Sequence, residues 1–385
     1  MVEIYFDNSA TTKPSAAVVE VMLRTLTEDY GNPSSMHKKG VEAEQYLRRA
    51  SQQIASALKA APGEICFTSG GTEANNLALF GAAGALKRRG TRILTTGMEH
   101  PAVAEPLKYL EGLGFTVEQI PVDGQGRVDP DTLSGMLSED VILVSTMYVN
   151  NEIGAVVPVK EIAEAVHKRA PHALYHVDAI QAFGKYRICP RQLGIDLLSA
   201  SGHKFHGPKG SGFLYIRSGV RLIPLLMGGG QQNGLRSGTE NVPAIAGMGV
   251  AAEEAYRDFE RKTEHLYALK ERLTEGLRAL PDVVIHGMPG REGAPHIVNV
   301  SFLGVGSEVL LHALEDRGIY ISAGSACSTH KRHASPTMAA IDAPKEEVSS
   351  AVRFSFSEDN TEEEVDAALA ALRELLPVLR RYRAK

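Results

Sequence analysis

The chain has 385 residues, 43% hydrophobic and 23% charged, which is length enough for two domains with substantial cores. Its 41 basic and 46 acidic residues leave a net charge of −5, excluding a bulk electrostatic pull toward nucleic acid or an anionic membrane. No stretch reaches the roughly 20 apolar residues of a bilayer span, and the opening MVEIYFDNSATTKPS lacks the apolar run of a signal peptide. Three cysteines without a CxxC pair make no disulfide framework, so a reducing cytoplasm is the expected compartment.

From residue 63 to about 217, short apolar runs alternate with helical stretches. EICFTSG, RILTTG, FTVEQIPV, VILVSTMYV, ALYHVDA, IDLLSAS and GFLYIR read as strands, and TEANNLALFGAAGALKRRG and VKEIAEAVHKRA as amphipathic helices. This pattern predicts an α/β fold with a mainly parallel seven-stranded sheet covered by helices on both faces. Ligands of such sheets sit at the carboxyl ends of the strands. There the chain places SGGTE, MEH, VNNE, DAIQ and SGHK. Residues 228–242, GGGQQNGLRSGTENV, form a long glycine-rich loop, and loops of that length inside a compact domain are usually functional. One helical stretch, roughly 243–280, then leads to strands VVIHG, HIVNVSF and VRFSF of a smaller α/β domain. The expected division is 15–260 for the large domain, with 1–14 and 261–385 forming the small one.

The loops carry the chemistry. SGGTEANN joins a strand to a helix, where first-turn N–H groups and the Thr72 hydroxyl suit a phosphate, although a plain helix cap fits too. In SASGHKFHGPKGSG, Lys204 lies just past a strand end, with Ser201 and His203 as donors for the same phosphate. No GK[ST] occurs and a strand follows, so this is not a P-loop. His203 and His206 lack a carboxylate or cysteine at ligand spacing, which argues against a metal. A lysine in a polar pocket suits a Schiff base, because burial and cationic neighbours expose its free amine. Asp178 ends an otherwise apolar strand in HVDAIQ, where a protonated pyridine nitrogen would compensate its charge. Capping the next turn is the alternative for Asp178. Gln181 would reach a ring hydroxyl and His100 would stack on the ring, though a lone histidine is commonly structural. The set as a whole points to pyridoxal 5′-phosphate. In SAGSACSTHK, Cys327 has no apolar neighbour and basic residues follow it, the setting of a reachable, reactive thiol. Cys66 and Cys189, among apolar residues, read as packing cysteines.

YFDNSATT, GNPSSMH, FTSGGTEANNLAL, MEHPAV, VNNEIGAVVPV, HVDAIQAFGK, SGHKFHGPKGSGFLY, RSGTENVPAI and SAGSACS together resemble group I cysteine desulfurases. These belong to the class V aminotransferase branch of fold type I pyridoxal phosphate enzymes. The resemblance runs from residue 5 to about 357 and implies a role for each matched residue. Lys204 matches the lysine that holds the cofactor as an aldimine, and His100 the ring-stacking histidine that assists proton transfer. Asp178 and Gln181 match the partners of the pyridine nitrogen and ring hydroxyl. Gly71, Thr72, Ser201 and His203 match the phosphate cradle. Thr239 matches a threonine reaching the other subunit's phosphate, which implies a homodimer. Asn151 and Arg353 match the holders of the substrate carboxylate, and Cys327 the sulfur acceptor. The implied reaction turns L-cysteine into L-alanine and leaves a persulfide on Cys327. That sulfur would go to an iron–sulfur scaffold or a tRNA-thiolation protein.

The chain departs from the family pattern at Gln232, where glutamate is usual, in RFSFSEDN, where a glycine is common, and in the basic THKRHASPTMAAID. These departures bear on the subfamily and the acceptor. Two alternatives stand beside the desulfurase: a selenocysteine lyase or aminotransferase on the same fold, and a sulfur-carrier scaffold without catalysis.

Overall fold

The computed structural model describes residues 3–323 and 335–383. In chain order its strands are β1 (Ile4–Tyr5), β2 (Ile65–Thr68), β3 (Arg92–Thr96), β4 (Thr116–Ile120), β5 (Val141–Met147), β6 (Leu174–Asp178) and β7 (Leu197–Ser201). There follow β8 (Gly212–Ile216), β9 (Val283–His286), β10 (Ile297–Phe302), β11 (Ile319–Tyr320), β12 (Ser322–Ala323) and β13 (Ala351–Ser355). All seven apolar runs read as strands between 63 and 217 are strands of one sheet, in the order β2-β8-β7-β6-β5-β3-β4. β5 is buried along its whole length, as a strand covered on both faces must be.

The sheet is mixed. β4, β3, β5, β6 and β7 run parallel, whereas β8 is antiparallel to both β7 and β2. The reason lies in the connection: residues 202–211 between β7 and β8 are too few for a crossover helix, so the chain turns back on itself. That turn opens with one 3₁₀ turn, Gly202–Lys204, and it carries the candidate lysine.

The expected helical stretch 243–280 is two helices, Val242–Tyr256 and Phe259–Arg278. Asp258 stands between them in the left-handed region, φ +53°. The Tyr256 hydroxyl donates to Tyr186 O (3.0 Å) and its ring stacks on Phe259, 5.4 Å between centroids. These contacts fix the bend where local propensity alone would continue the helix.

A second sheet, β12-β13-β10-β9, is antiparallel throughout. Its core joins Val298, Val300, Phe302, Val352 and Phe354 to Leu266–Leu277 of one helix and Val365–Leu376 of another. Ile4 and Phe6 belong to this core as well. The N-terminal segment therefore starts in this second core, where β1 and β11 form a parallel two-stranded sheet of their own, and then crosses to the first sheet, where Thr12 N donates to His203 O (2.8 Å). Residues 7–12 are the bridge between the two sheets.

Candidate active site

The anion-binding turn follows β2. Gly70 has φ +155°, a conformation side chains resist, and helix Gly71–Leu86 starts directly after it. A Cβ on Gly71 would meet Ile180 Cδ1 at 2.2 Å, so any side chain there would have to push the Ile180 tip aside where the helix starts against the β6 turn. The opening N–H groups of a helix have no partner within it. Buried Ser201 turns its hydroxyl toward Gly70, and Thr72 is exposed at the mouth. His203 Nδ1 lies 3.3 Å from Thr11 Oγ1. Burial, with Lys204 and Lys209 adding, lowers the His203 pKa to about 4, so the ring is neutral near pH 7.

Asp178 closes β6 and is 4% exposed. Its Oδ2 accepts from the Asn75 amide (2.7 Å) and its Oδ1 from Ile180 N (3.0 Å), so it also caps the following turn, as the plainer reading had it. Burial pushes the Asp178 pKa up, against these donors and the nearby His100 and Lys204. A carboxylate so placed is stabilised by a cation brought to it.

His100 caps helix Pro101–Gly112 by accepting from Ala102 N at Nδ1 (3.1 Å), which leaves Nε2 to carry the hydrogen of the neutral ring. Burial first, and Lys204 next, push its pKa down while Asp178 opposes them. Lys204 Nζ donates to Ser9 O (2.5 Å) and Ala10 O (3.0 Å), both on the 7–12 bridge. Gln181 joins the same carbonyl, Nε2 to Ser9 O at 3.0 Å, and its Oε1 lies 3.4 Å from His296 Nε2.

From the second sheet, Arg353 on β13 donates to Asn151 O (2.7 Å) and Asp7 Oδ1 (2.8 Å). Asn151 thus meets Arg353 through its backbone carbonyl. The buried neighbour Asn150 holds that turn, accepting from Glu152 N and Ile153 N and donating to Thr337 Oγ1. The glycine-rich loop is pinned to the anion-binding turn: Gln232 accepts from Phe67 N (3.0 Å), and Arg236 pairs with Glu73 (2.7 Å). Thr239 on that loop is exposed. Cys327 lies outside the described residues.

Asn75, Asp7, Glu99 and His296 lie among the site residues, though the sequence reading gave none of them a role. Glu99 is 4% exposed and accepts from Thr96 Oγ1 (2.6 Å) and Met147 N (2.9 Å) through one oxygen. Burial pushes its pKa up to about 8, with Asp178 adding to the rise. The one available signal was polarity inside an apolar run, which Glu99 shares with many capping residues.

These residues fit pyridoxal phosphate. The glycine turn would hold the phosphate, Asp178 the ring nitrogen, and Lys204 the aldehyde carbon. Fold and site together define a fold type I pyridoxal phosphate enzyme.

Residues 4–368 match the family model Aminotransferase class-V, and the chain belongs to this family. It is 44% identical to a NifS/IcsS protein homolog of Lactobacillus delbrueckii subsp. bulgaricus, over 97% of each chain. It is also 44% identical to the cysteine desulfurase IscS of Methanosarcina thermophila, covering 98% of this chain and 93% of that one. Among solved structures, a NifS-like protein superposes with a TM-score of 0.92 at 39% identity, covering 98% of this chain and all of the other. SspA in complex with cysteine superposes at 0.79 with 30% identity, covering 94% of this chain.

Proposed function

We propose that the protein is a pyridoxal phosphate-dependent cysteine desulfurase, converting L-cysteine to L-alanine with sulfur passing to Cys327. The observation that carries this reading is the 7–12 bridge, whose Ser9 and Ala10 carbonyls hold the Lys204 amine while its Asp7 holds the Arg353 guanidinium. An amine-reactive centre and a carboxylate fork tied to one turn suit an α-amino acid. Near full-length similarity to proteins named cysteine desulfurase supports the choice among amino acids.

When bound, the cofactor supplies an electron-poor ring that draws charge away from the substrate's reacting carbons. Asp178 would hold the ring nitrogen in its protonated form, and His100, whose Nδ1 is taken by Ala102 N, would donate beside the substrate through its Nε2–H. Arg353 with Asn151 orients the carboxylate. The Cys327 thiolate attacks the substrate sulfur: the new S–S bond forms, the Cβ–S bond breaks, and the electron pair left on carbon takes up a proton. The sum is L-cysteine plus a thiol giving L-alanine plus a persulfide, balanced without an outside oxidant.

The same reading places a homodimer around Thr239 and a large domain at 15–260 beside a small one at 1–14 and 261–385. One apolar core, running from Ile4 and Phe6 to Leu266–Leu376, draws only on the proposed small domain and supports that division. It also places the protein in the cytoplasm, passing sulfur to iron–sulfur scaffold or tRNA-thiolation proteins. No helix among the described residues is long and apolar enough to cross a membrane. The test is L-cysteine given to the yellow purified protein with a thiol reductant and no 2-oxo acid. Equal alanine and sulfide are expected, and a strict requirement for a 2-oxo acid would make it an aminotransferase instead.

A further inference from the structure

The site contains an ion pair whose acidic member has no part in the chemistry above. Arg353 and Asp7 are 10% and 21% exposed, and Nη2 donates to Asp7 Oδ1 over 2.8 Å. Nη1 is taken by Asn151 O, while the buried Nε has no acceptor among the described residues. A guanidinium carries five N–H groups in a rigid fork, so these two protein acceptors leave N–H groups, that of Nε among them, for a second carboxylate.

Asp7 is fixed in turn by backbone on both sides. It bridges Ser355 in parallel register at the end of β13, with Ser355 N donating to Phe6 O and Asn8 N to Ser355 O. Its own carbonyl accepts from Ala10 N (3.0 Å), closing the turn whose last two carbonyls, of Ser9 and Ala10, hold Lys204. The acid is thus a rigid post between the substrate's carboxylate anchor and the amine.

We propose that Asp7 is a positioning residue for substrate binding, locking the Arg353 fork at a set distance from Lys204 so that Nε meets the incoming carboxylate. This rests on the reading of Arg353 as the carboxylate anchor. Two effects compete when Asp7 is removed. Its negative charge no longer repels the substrate carboxylate, which favours binding, but the arginine loses its orienting contact and regains rotamer freedom. The repulsion acts across water-accessible space around a partly exposed acid and is screened, whereas the orienting contact is direct and charge-assisted. Orientation wins.

The experiment is steady-state kinetics of the holoenzyme with L-cysteine. Asp7→Ala is expected to raise KM about tenfold, the loss of one hydrogen bond to a charged group, while kcat changes less than about threefold and the cofactor absorbance is kept. Asp7→Asn keeps an acceptor oxygen and is expected to recover most of that loss. In an Arg353→Ala background, Asp7→Ala is expected to add less than about twofold, since the interaction is already gone. An unchanged or lower KM in Asp7→Ala, no recovery in Asp7→Asn, or a full tenfold effect without Arg353 each overturn the proposal. If Asp7→Ala fails to fold, Asp7→Glu, with the charge kept and the oxygen displaced, carries the same KM comparison. An Arg353→Ala variant with unchanged KM would instead remove the carboxylate-anchor reading, and the role of Asp7 with it.

Discussion

The Asn75 amide donates to Asp178 Oδ2 across 2.7 Å of buried space, joining the first turns of helix Gly71–Leu86 to the end of β6. The contact does two things at once. It fixes the carboxylate plane, and it favours the ionised form against the burial that pushes the proton on. An ionised Asp178 is what a protonated ring nitrogen requires.

Asn75→Ala should therefore weaken the cofactor's hold on the protein. With its donor gone, burial favours the neutral acid, which no longer balances a ring cation. A lost hydrogen bond to a charged group corresponds to about 1.5–3 kcal/mol, so the pyridoxal phosphate Kd should rise tenfold or more. Titration of the apoenzyme, followed at the visible band, measures it. An unchanged Kd would show that Asp178 needs no help from Asn75.

Glu99 gives a pH-dependent test of stability. Its folded pKa, about 8, lies above the ordinary carboxyl value of 4.5, so in between the folded state holds a proton that the unfolded chain releases. Stability is then lost as pH rises from about 4.5 to about 8 and is level beyond. Glu99→Gln has the same shape and does not titrate. Its melting temperature relative to the wild type should climb between pH 5 and pH 8, read by thermal scans at a fixed rate. A difference that stays flat across that window would mean Glu99 ionises normally.

Much of this architecture is legible in the chain. The seven strands of the large sheet announce themselves because doubly covered strands are apolar on both faces, as Val141–Met147 is. The reversal of β8 was less visible, since GFLYIR looks the same in either direction and only the short 202–211 connection records the turn. The bend at Asp258 left no local mark; it is imposed by Tyr256 reaching Tyr186, 70 residues away. The cofactor residues stood out as polar groups at strand ends. Their supports did not: Asn75 lies 103 positions from Asp178, and Asp7 lies 346 from Arg353. Such pairs exist only once the chain has folded.

Glu358 should matter for stability. Just beyond β13, its carboxylate takes Lys262 Nζ at 2.9 Å, with His206 at 3.3 Å and the buried Lys185 at 3.9 Å. The hydrogen bond from His206, with the Lys185 and Lys262 charges adding, holds its pKa far below the ordinary value despite burial. Its contribution is full above about pH 4.5 and falls away as the solution is acidified below that. Glu358→Gln leaves Lys185 buried without its counter-charge, which should cost about 3–5 kcal/mol in urea unfolding at pH 7. A loss under about 1 kcal/mol would place these charges effectively in water.

The proposal that Cys327 accepts the sulfur rests on its motif and, among the described residues, on the settings of the other two cysteines. Cys66 on β2 is 5% exposed, and burial, with Glu73 adding, pushes its pKa up to about 12. A thiol held that far from ionisation is a poor nucleophile, and one packed in a strand has no path to a partner protein. Cys189 is half-buried at the start of helix Pro190–Leu193, in a turn away from the strand ends that carry Lys204 and Asp178. The proposed roles assign the cofactor to the glycine turn, Asp178 and Lys204 and the sulfur to Cys327, so binding and sulfur transfer should separate. Cys327→Ala should keep its yellow colour and its spectral response to L-cysteine, yet form alanine only in traces. Cys66→Ala and Cys189→Ala should stay active. The decisive measurement is mass spectrometry of the enzyme after a single turnover, with one extra sulfur expected on the peptide that contains Cys327. That sulfur on the Cys66 or Cys189 peptide, or wild-type turnover by Cys327→Ala, would assign the transfer to another thiol.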